Sequence, residues 1–159
     1  MTDLKHAFWS RMDDVQAGML GLKSGPRLIP MAPSVDDDVP DHIWFITAHG
    51  TDLAQATAQG AQPARFVVAD GSAGLYADID GTLAQVDDAQ ALDEVWSVFA
   101  SAWFDEGKED KDICLLRFSP ASADVSVTPT SGAKVLFEIA KGNLTDDRPD
   151  MGTQGPITF

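Results

Sequence analysis

The residues whose types and spacing could do chemistry in this 159-residue chain gather at one polar turn, Ala48-His49-Gly50-Thr51, which follows the apolar run HIWFIT at 42–47. Thr51 or Asp52 suits a helix N-cap, and Gln55, three residues after Asp52, fits a capping box. A strand, a small-residue turn and a helix start expose free backbone N–H groups and the positive end of a helix dipole, an arrangement that suits phosphate. A plain strand-to-helix connection with no ligand is the commoner reading of such a turn. His49 lies in it, where a solvent-facing histidine is the default and proton transfer at a bound ligand the alternative. His6 and His42 lie too far off in the sequence to suggest a local metal set. Cys114 sits inside the apolar run ICLLRF, which predicts a buried, inert thiol. The acidic stretch Asp36-Asp37-Asp38 and the Asp78-x-Asp80-Gly81 fragment both lack the ligand spacing of a calcium loop and read as solvated. There is no G-x-G-x-x-G, G-x-x-x-x-G-K-[ST], H-E-x-x-H or G-x-S-x-G. A function would come most economically from a cofactor that carries its own chemistry.

The elements that position this turn can be read from hydrophobic period. Residues 3–20 place Phe8, Trp9, Met12, Val15 and Met19 on one helical face. Arg27–Ala32 reads as a first strand, confined by Pro30 to an edge, an end or a bulge. HIWFIT, β-branched and aromatic, suits a strand buried on both faces, and Asp52–Gln59 a short helix. ARFVVAD (64–70) and GLYADIDGTLAQV (74–86) have hairpin spacing, and the second alternates apolar Leu75, Ala77, Ile79 and Leu83 with polar neighbours. Asp87 and Gln90 announce a helix from 88 to about 103 with Leu92, Val95, Trp96, Phe99 and Trp103 in one stripe. ICLLRF and ADVSVT (123–128) read as strands on either side of Ser119-Pro120, and Ser131 as the cap of a last helix.

Length allows one domain, here 1–142, with 143–159 as an extended or partly mobile C-terminal tail. The hydrophobic fraction of 44% and four tryptophans are those of an ordinary globular chain. A formal charge of −14, from 25 acidic and 11 basic residues, disfavours nucleic acid and anionic membrane as partners. MTDLKHAFW has no cationic segment followed by an apolar one, so neither a signal peptide nor a membrane span is expected. A single cysteine is compatible with a reducing cytoplasm. Five or six strands with hairpin spacing and about four helices indicate an α+β domain on an antiparallel sheet, closed or partly closed as a barrel.

The order of the segments FWSRM, R-x-x-P-M, I-W-F-I-T with its turn and helix, A-x-F-V-V-A-D, Y-x-D-I-D-G-T, and A-W-F-x-x-G-K-x-D followed by I-C-L-L-R-F resembles the general stress protein branch of the pyridoxamine 5′-phosphate oxidase-like flavoproteins, over about residues 4–142. The resemblance implies an antiparallel split β-barrel flanked by helices, a homodimer, and FMN bound at the dimer interface. It assigns Arg27 and Thr47 to the flavin or its phosphate, Met31 and the backbone around Ile29 to the isoalloxazine, and Thr51 to the phosphate. Ile46 and Trp103 complete the implied cofactor set. Asp52-Leu53 stands where many relatives carry a lysine or arginine, two additional residues separate Arg27 from Pro30-Met31, and Ser126 stands where a tryptophan is often found.

The resemblance thus implies a flavin-dependent oxidoreductase with a small-molecule redox partner, NAD(P)H among the candidates, and no residue identifying its substrate. Pyridoxamine phosphate oxidation itself needs a second phosphate site, for which this chain is poor in basic residues. The alternative from another class is a non-catalytic flavin or ligand carrier, or an apo barrel acting as a stress-associated interaction protein. A different planar ligand such as haem or a deazaflavin is the weakest reading.

Overall fold

The computed structural model describes residues 3–25, 27–36, 40–96, 104, 106–128 and 152–159. The chain begins with α1 (Asp3–Met12), which buries Phe8, Trp9 and Met12. The expected helix to residue 20 stops there. Val15 is still buried, but Gly18–Leu22 form strand β1, in which Gly18 and Leu20 are buried and Met19 is exposed. That alternation has the period of a strand, and glycines at 18 and 21 penalise a helix. Gly18 is also required by packing, because a Cβ there would stand 2.6 Å from the Phe66 ring.

Strand β2 is only Ile29–Met31 and among the described residues pairs with β1 alone, so Pro30 lies on an edge strand, where proline is tolerated. Strand β3 (Ile43–Ala48) leads through the turn into α2 (Asp52–Thr57). The predicted hairpin is present as β4 (Gln62–Asp70) and β5 (Leu75–Val86), in register from Gln62↔Leu83 to Asp70↔Leu75. Helix α3 (Ala89–Val95) is capped by Asp88, one residue later than expected, whose carboxylate accepts from the N–H groups of Gln90 and Ala91 at 3.1 Å. It ends at Trp96, whose backbone is extended. The rest of the predicted stripe, Trp103 included, and the predicted last helix lie outside the described residues.

ICLLRF and ADVSVT belong to one strand, β6 (Ile113–Val127). Opposite Gly81 and Asp80 of β5 stand Pro120 and Ser122, so Ala121 is an extra residue. This bulge lets the proline sit within a long strand and bends it. Along its other edge β6 pairs first with β3 and then with β7 (Thr153–Thr158). The end of the expected C-terminal tail is thus a strand of the same sheet. Phe159 beyond it packs edge-on to Phe8 and Trp9, with centroids 5.1 and 5.6 Å away.

The result is an α+β fold on a seven-stranded antiparallel sheet in the order β2-β1-β4-β5-β6-β3, with β7 beside β6. Ser34, just past β2, exchanges two backbone hydrogen bonds with Trp44 of β3 at 2.8 and 2.9 Å. The two ends of the strand order thereby meet and the sheet curls into a barrel. Its inside is filled by Phe45, Phe66, Leu75, Ile79, Leu116 and Phe118. A second, smaller cluster lies outside, where Ala91 and Val95 of α3 cover Leu115, with Trp44 and Ile46 packed against it. HIWFIT is thus apolar on both faces because each face has a core of its own.

Candidate functional site

Alternation along β3 sends Phe45 inward and Trp44 and Ile46 outward, so Thr47 follows Phe45 toward the barrel interior, at the end where the strand leaves the sheet. The Thr47 hydroxyl donates to the Thr51 hydroxyl at 3.2 Å, and Thr51 donates to the Ala48 carbonyl at 2.9 Å. Thr51 is the N-cap of α2, accepting from the Ala54 N–H at 3.4 Å. Gln55 reaches back to the Gly50 carbonyl at 3.2 Å. The turn is held from below as well. Gln85 of β5 donates to the Ala54 carbonyl and to the Thr57 hydroxyl, which is buried. A glutamine in an alternating strand carries no signal of this role in the sequence.

In antiparallel pairs, opposed residues project to the same side. Ile29 is paired with Leu20 and Met31 with Gly18, both buried, yet Ile29 is 37% exposed. The core side of the sheet is therefore open at β2. β2 and β3 form no ladder with each other among the described residues, and only the Ser34–Trp44 bridge joins their segments. Met31 and Thr47 stand equal steps from that bridge, on the two segments it connects. Ile29, Met31, Thr47 and Thr51 thus border one open edge of the barrel.

Two sequence-predicted residues are placed differently. Ile46 points outward beneath α3, so only its backbone adjoins Thr47. Arg27 lines a groove of about 540 Å³ with Lys23, Arg65, Asp78 and Asp80. Lys23 pairs with Asp80 at 2.9 Å, and Arg65 holds Asp78 through two bonds of 2.6 Å. The bidentate Arg65 guanidinium keeps the Asp78 carboxyl below its ordinary range, and Asp78 in turn raises Arg65. Arg27 is exposed and has no ion pair among the described residues. Asp78 and Asp80 are a solvated strand face, as expected. Of the pair replacing the basic residues, Asp52 is exposed in the first turn of α2, whereas Leu53 is buried in the main core. His49 lines a separate hollow of about 610 Å³ with Lys111 and Leu92. Cys114 is buried opposite Thr47, and burial pushes its thiol up. Among the described residues no group of three or more His, Cys, Asp or Glu could hold a metal ion.

The model of the family described as "Pyridoxamine 5'-phosphate oxidase like" matches residues 3–150. The chain belongs to this family. No curated protein matches it. Among solved structures of the pyridoxamine 5′-phosphate oxidase-like fold, it is similar to a protein described as general stress protein 26 from Jannaschia sp. CCS1. Identity is 59%, coverage 99% of this chain and 98% of that one, and the TM-score 0.96. It is also similar to the general stress FMN/FAD binding protein from Xanthomonas citri, at 26% identity, with 82% and 93% of the two chains covered and a TM-score of 0.72. General stress protein 26 from Bacillus anthracis str. Sterne shares the fold at 13% identity and a TM-score of 0.65, over 78% and 94% of the chains. The antiparallel α+β split barrel and the general stress branch are thereby established for this member of the family.

Proposed function

We propose that this protein binds FMN at the open edge between β2 and β3, as a homodimer in the cytoplasm, and acts as a flavin-dependent oxidoreductase of the general stress type. The observation that carries the reading is the core-side position of Ile29 and Met31 at a place where the barrel is open, next to the Thr47–Thr51 hydroxyl pair. An exposed apolar edge suits a flat ring system, and two hydroxyls at a turn suit a phosphate. The residues present fit such a group, and the relative from Xanthomonas citri is a general stress FMN/FAD binding protein.

In this reading Ile29 and Met31 exclude water from one side of the ring. Thr47 would give up its bond to Thr51 and donate to the phosphate, whereas Arg27, expected to bind it, lines the separate groove with Arg65 and Asp78. When bound, the flavin supplies hydride and single-electron exchange with a small-molecule or nicotinamide partner. The second reading, a flavin or ligand carrier without turnover, is favoured by one feature. The position next to the N-cap is an exposed carboxylate and the one after it is a core leucine, so the phosphate grip is weaker than a basic residue would make it.

Equilibrium titration of FMN tests the site. Thr47→Ala should weaken binding about tenfold or more, as expected for losing one hydrogen bond to a charged group, whereas Arg27→Ala should change it little. Unchanged affinity in Thr47→Ala, or a loss confined to Arg27→Ala, would remove the site from this edge. Reduction of the flavin-loaded protein by NADH or NADPH, followed by reoxidation in air, separates an enzyme from a carrier.

A further inference from the structure

Gln85 of β5, Leu116 of β6 and Phe45 of β3 stand opposite one another in one row across the sheet, and Leu116 and Phe45 are buried in the barrel core. Gln85 therefore projects to the core side, where an aliphatic side chain would be the ordinary occupant. A primary amide taken partly out of water costs free energy unless it is hydrogen-bonded. Gln85 is half-buried, and its amide nitrogen donates to two groups of α2, the Ala54 carbonyl and the Thr57 hydroxyl. Thr57, 2% exposed, is the one buried polar residue among the described residues. Its own O–H donates to the Leu53 carbonyl at 2.7 Å. The Ala58 N–H, which would close the next helical turn on Ala54, bonds the Gln55 carbonyl instead at 3.4 Å. The Gln85 amide thus serves a carbonyl that the end of the helix leaves over. A six-residue helix does not hold its shape alone in water, so its place is set by what grips it.

We infer that Gln85 and Thr57 are positioning residues that set the preference of the site for a phosphorylated over an unphosphorylated flavin. They act through Thr51, which α2 carries at its N-cap and whose hydroxyl stands 3.2 Å from that of Thr47. The buried Leu53 and Ala54 also hold α2 to the core, but apolar contact is non-directional and lets a short helix shift or turn. Two hydrogen bonds from one amide fix direction as well as distance. Without them the helix keeps its apolar contacts and loses its fixed distance from β3, so the two threonine hydroxyls no longer meet one oxyanion together. The effect is confined to the phosphate end. Ile29 and Met31 lie on β2, which β1 and β4 separate from β5 in the strand order. This inference rests on the proposed flavin reading and adds to it the groups that hold the phosphate end in place.

The test is equilibrium titration of the full-length protein with FMN and, separately, with riboflavin, which lacks the phosphate. Wild type, Gln85→Leu, Thr57→Val and the double variant are compared, each checked as folded by circular dichroism. The expected result is FMN binding weakened about fivefold or more in Gln85→Leu with riboflavin affinity unchanged, so that the ratio of the two affinities falls. A protein that is merely less stable would lose both affinities in equal proportion and keep the ratio. Thr57→Val should act in the same direction, and the double variant should be no weaker than the worse single one, because both changes break one network. If Gln85→Leu does not fold, Thr57→Val carries the test in its place. Thr47→Ala is the control for the site itself. A ratio lost in Thr47→Ala but kept in Gln85→Leu overturns this inference and leaves the proposed function standing. Wild type with no preference for FMN over riboflavin, or Thr47→Ala with the wild-type ratio, removes the phosphate from this turn and defeats both.

Discussion

Thr51 joins the fold and the site through one hydroxyl, which caps α2, bonds the Ala48 carbonyl and receives the O–H of Thr47. Thr51→Ala should destabilise the protein by about 1 kcal/mol in chemical denaturation, the usual loss for an N-cap, and should weaken FMN binding further. Asp78 gives a pH signature. Its folded pKa is depressed, so its contribution is present above the ordinary aspartate value of about 3.9 and is lost as pH falls through the folded value. Asp78→Asn should therefore be less stable than wild type near neutrality and flatter along the acid limb of a stability–pH curve. An equally steep acid limb in the variant would assign that limb to other carboxylates. Cys114 should resist thiol reagents at neutral pH and react fully once the chain is unfolded, because burial raises its thiol pKa and hides the sulfur.

At the scale of elements, β7 is where the structure adds most to the sequence. Ile157 is buried in the barrel core and Phe159 packs on α1, so Ile157→Ala should cost about 2–4 kcal/mol in urea unfolding. A cost near zero would return these residues to the status of a loose tail. The sequence hid this strand because TQGPIT carries a glycine and a proline and no clear alternation; its pairing comes from β6, far away in the chain. The β4–β5 hairpin and β3 were legible because their pattern is local and clean. The missed β1 was not, since Val15 and Met19 continue the spacing of α1 and only burial separates Met19 from the helix face. The Thr47–Thr51 turn was readable from its residue types. The outward turn of Ile46 and the tether from Gln85 depend on which strand lies beside which, and no single segment encodes that.

For the whole molecule, net charge and fold point the same way. A charge of −14 makes the few basic residues informative, and three of them, Lys23, Arg27 and Arg65, share one groove. Among the described residues no helix is long and apolar enough to cross a membrane. Among the described residues the two ends of the strand order are joined through one bridge, which leaves the core side open at β2, and the proposed flavin site is that edge. The direct test of this is to incubate the purified protein with excess FMN, separate free flavin on a sizing column, and record the visible spectrum of the protein peak. Flavin bands retained at the elution volume of a dimer are the predicted result. A colourless protein peak would contradict the flavin site, and Asp52 would be the first residue to replace with a base.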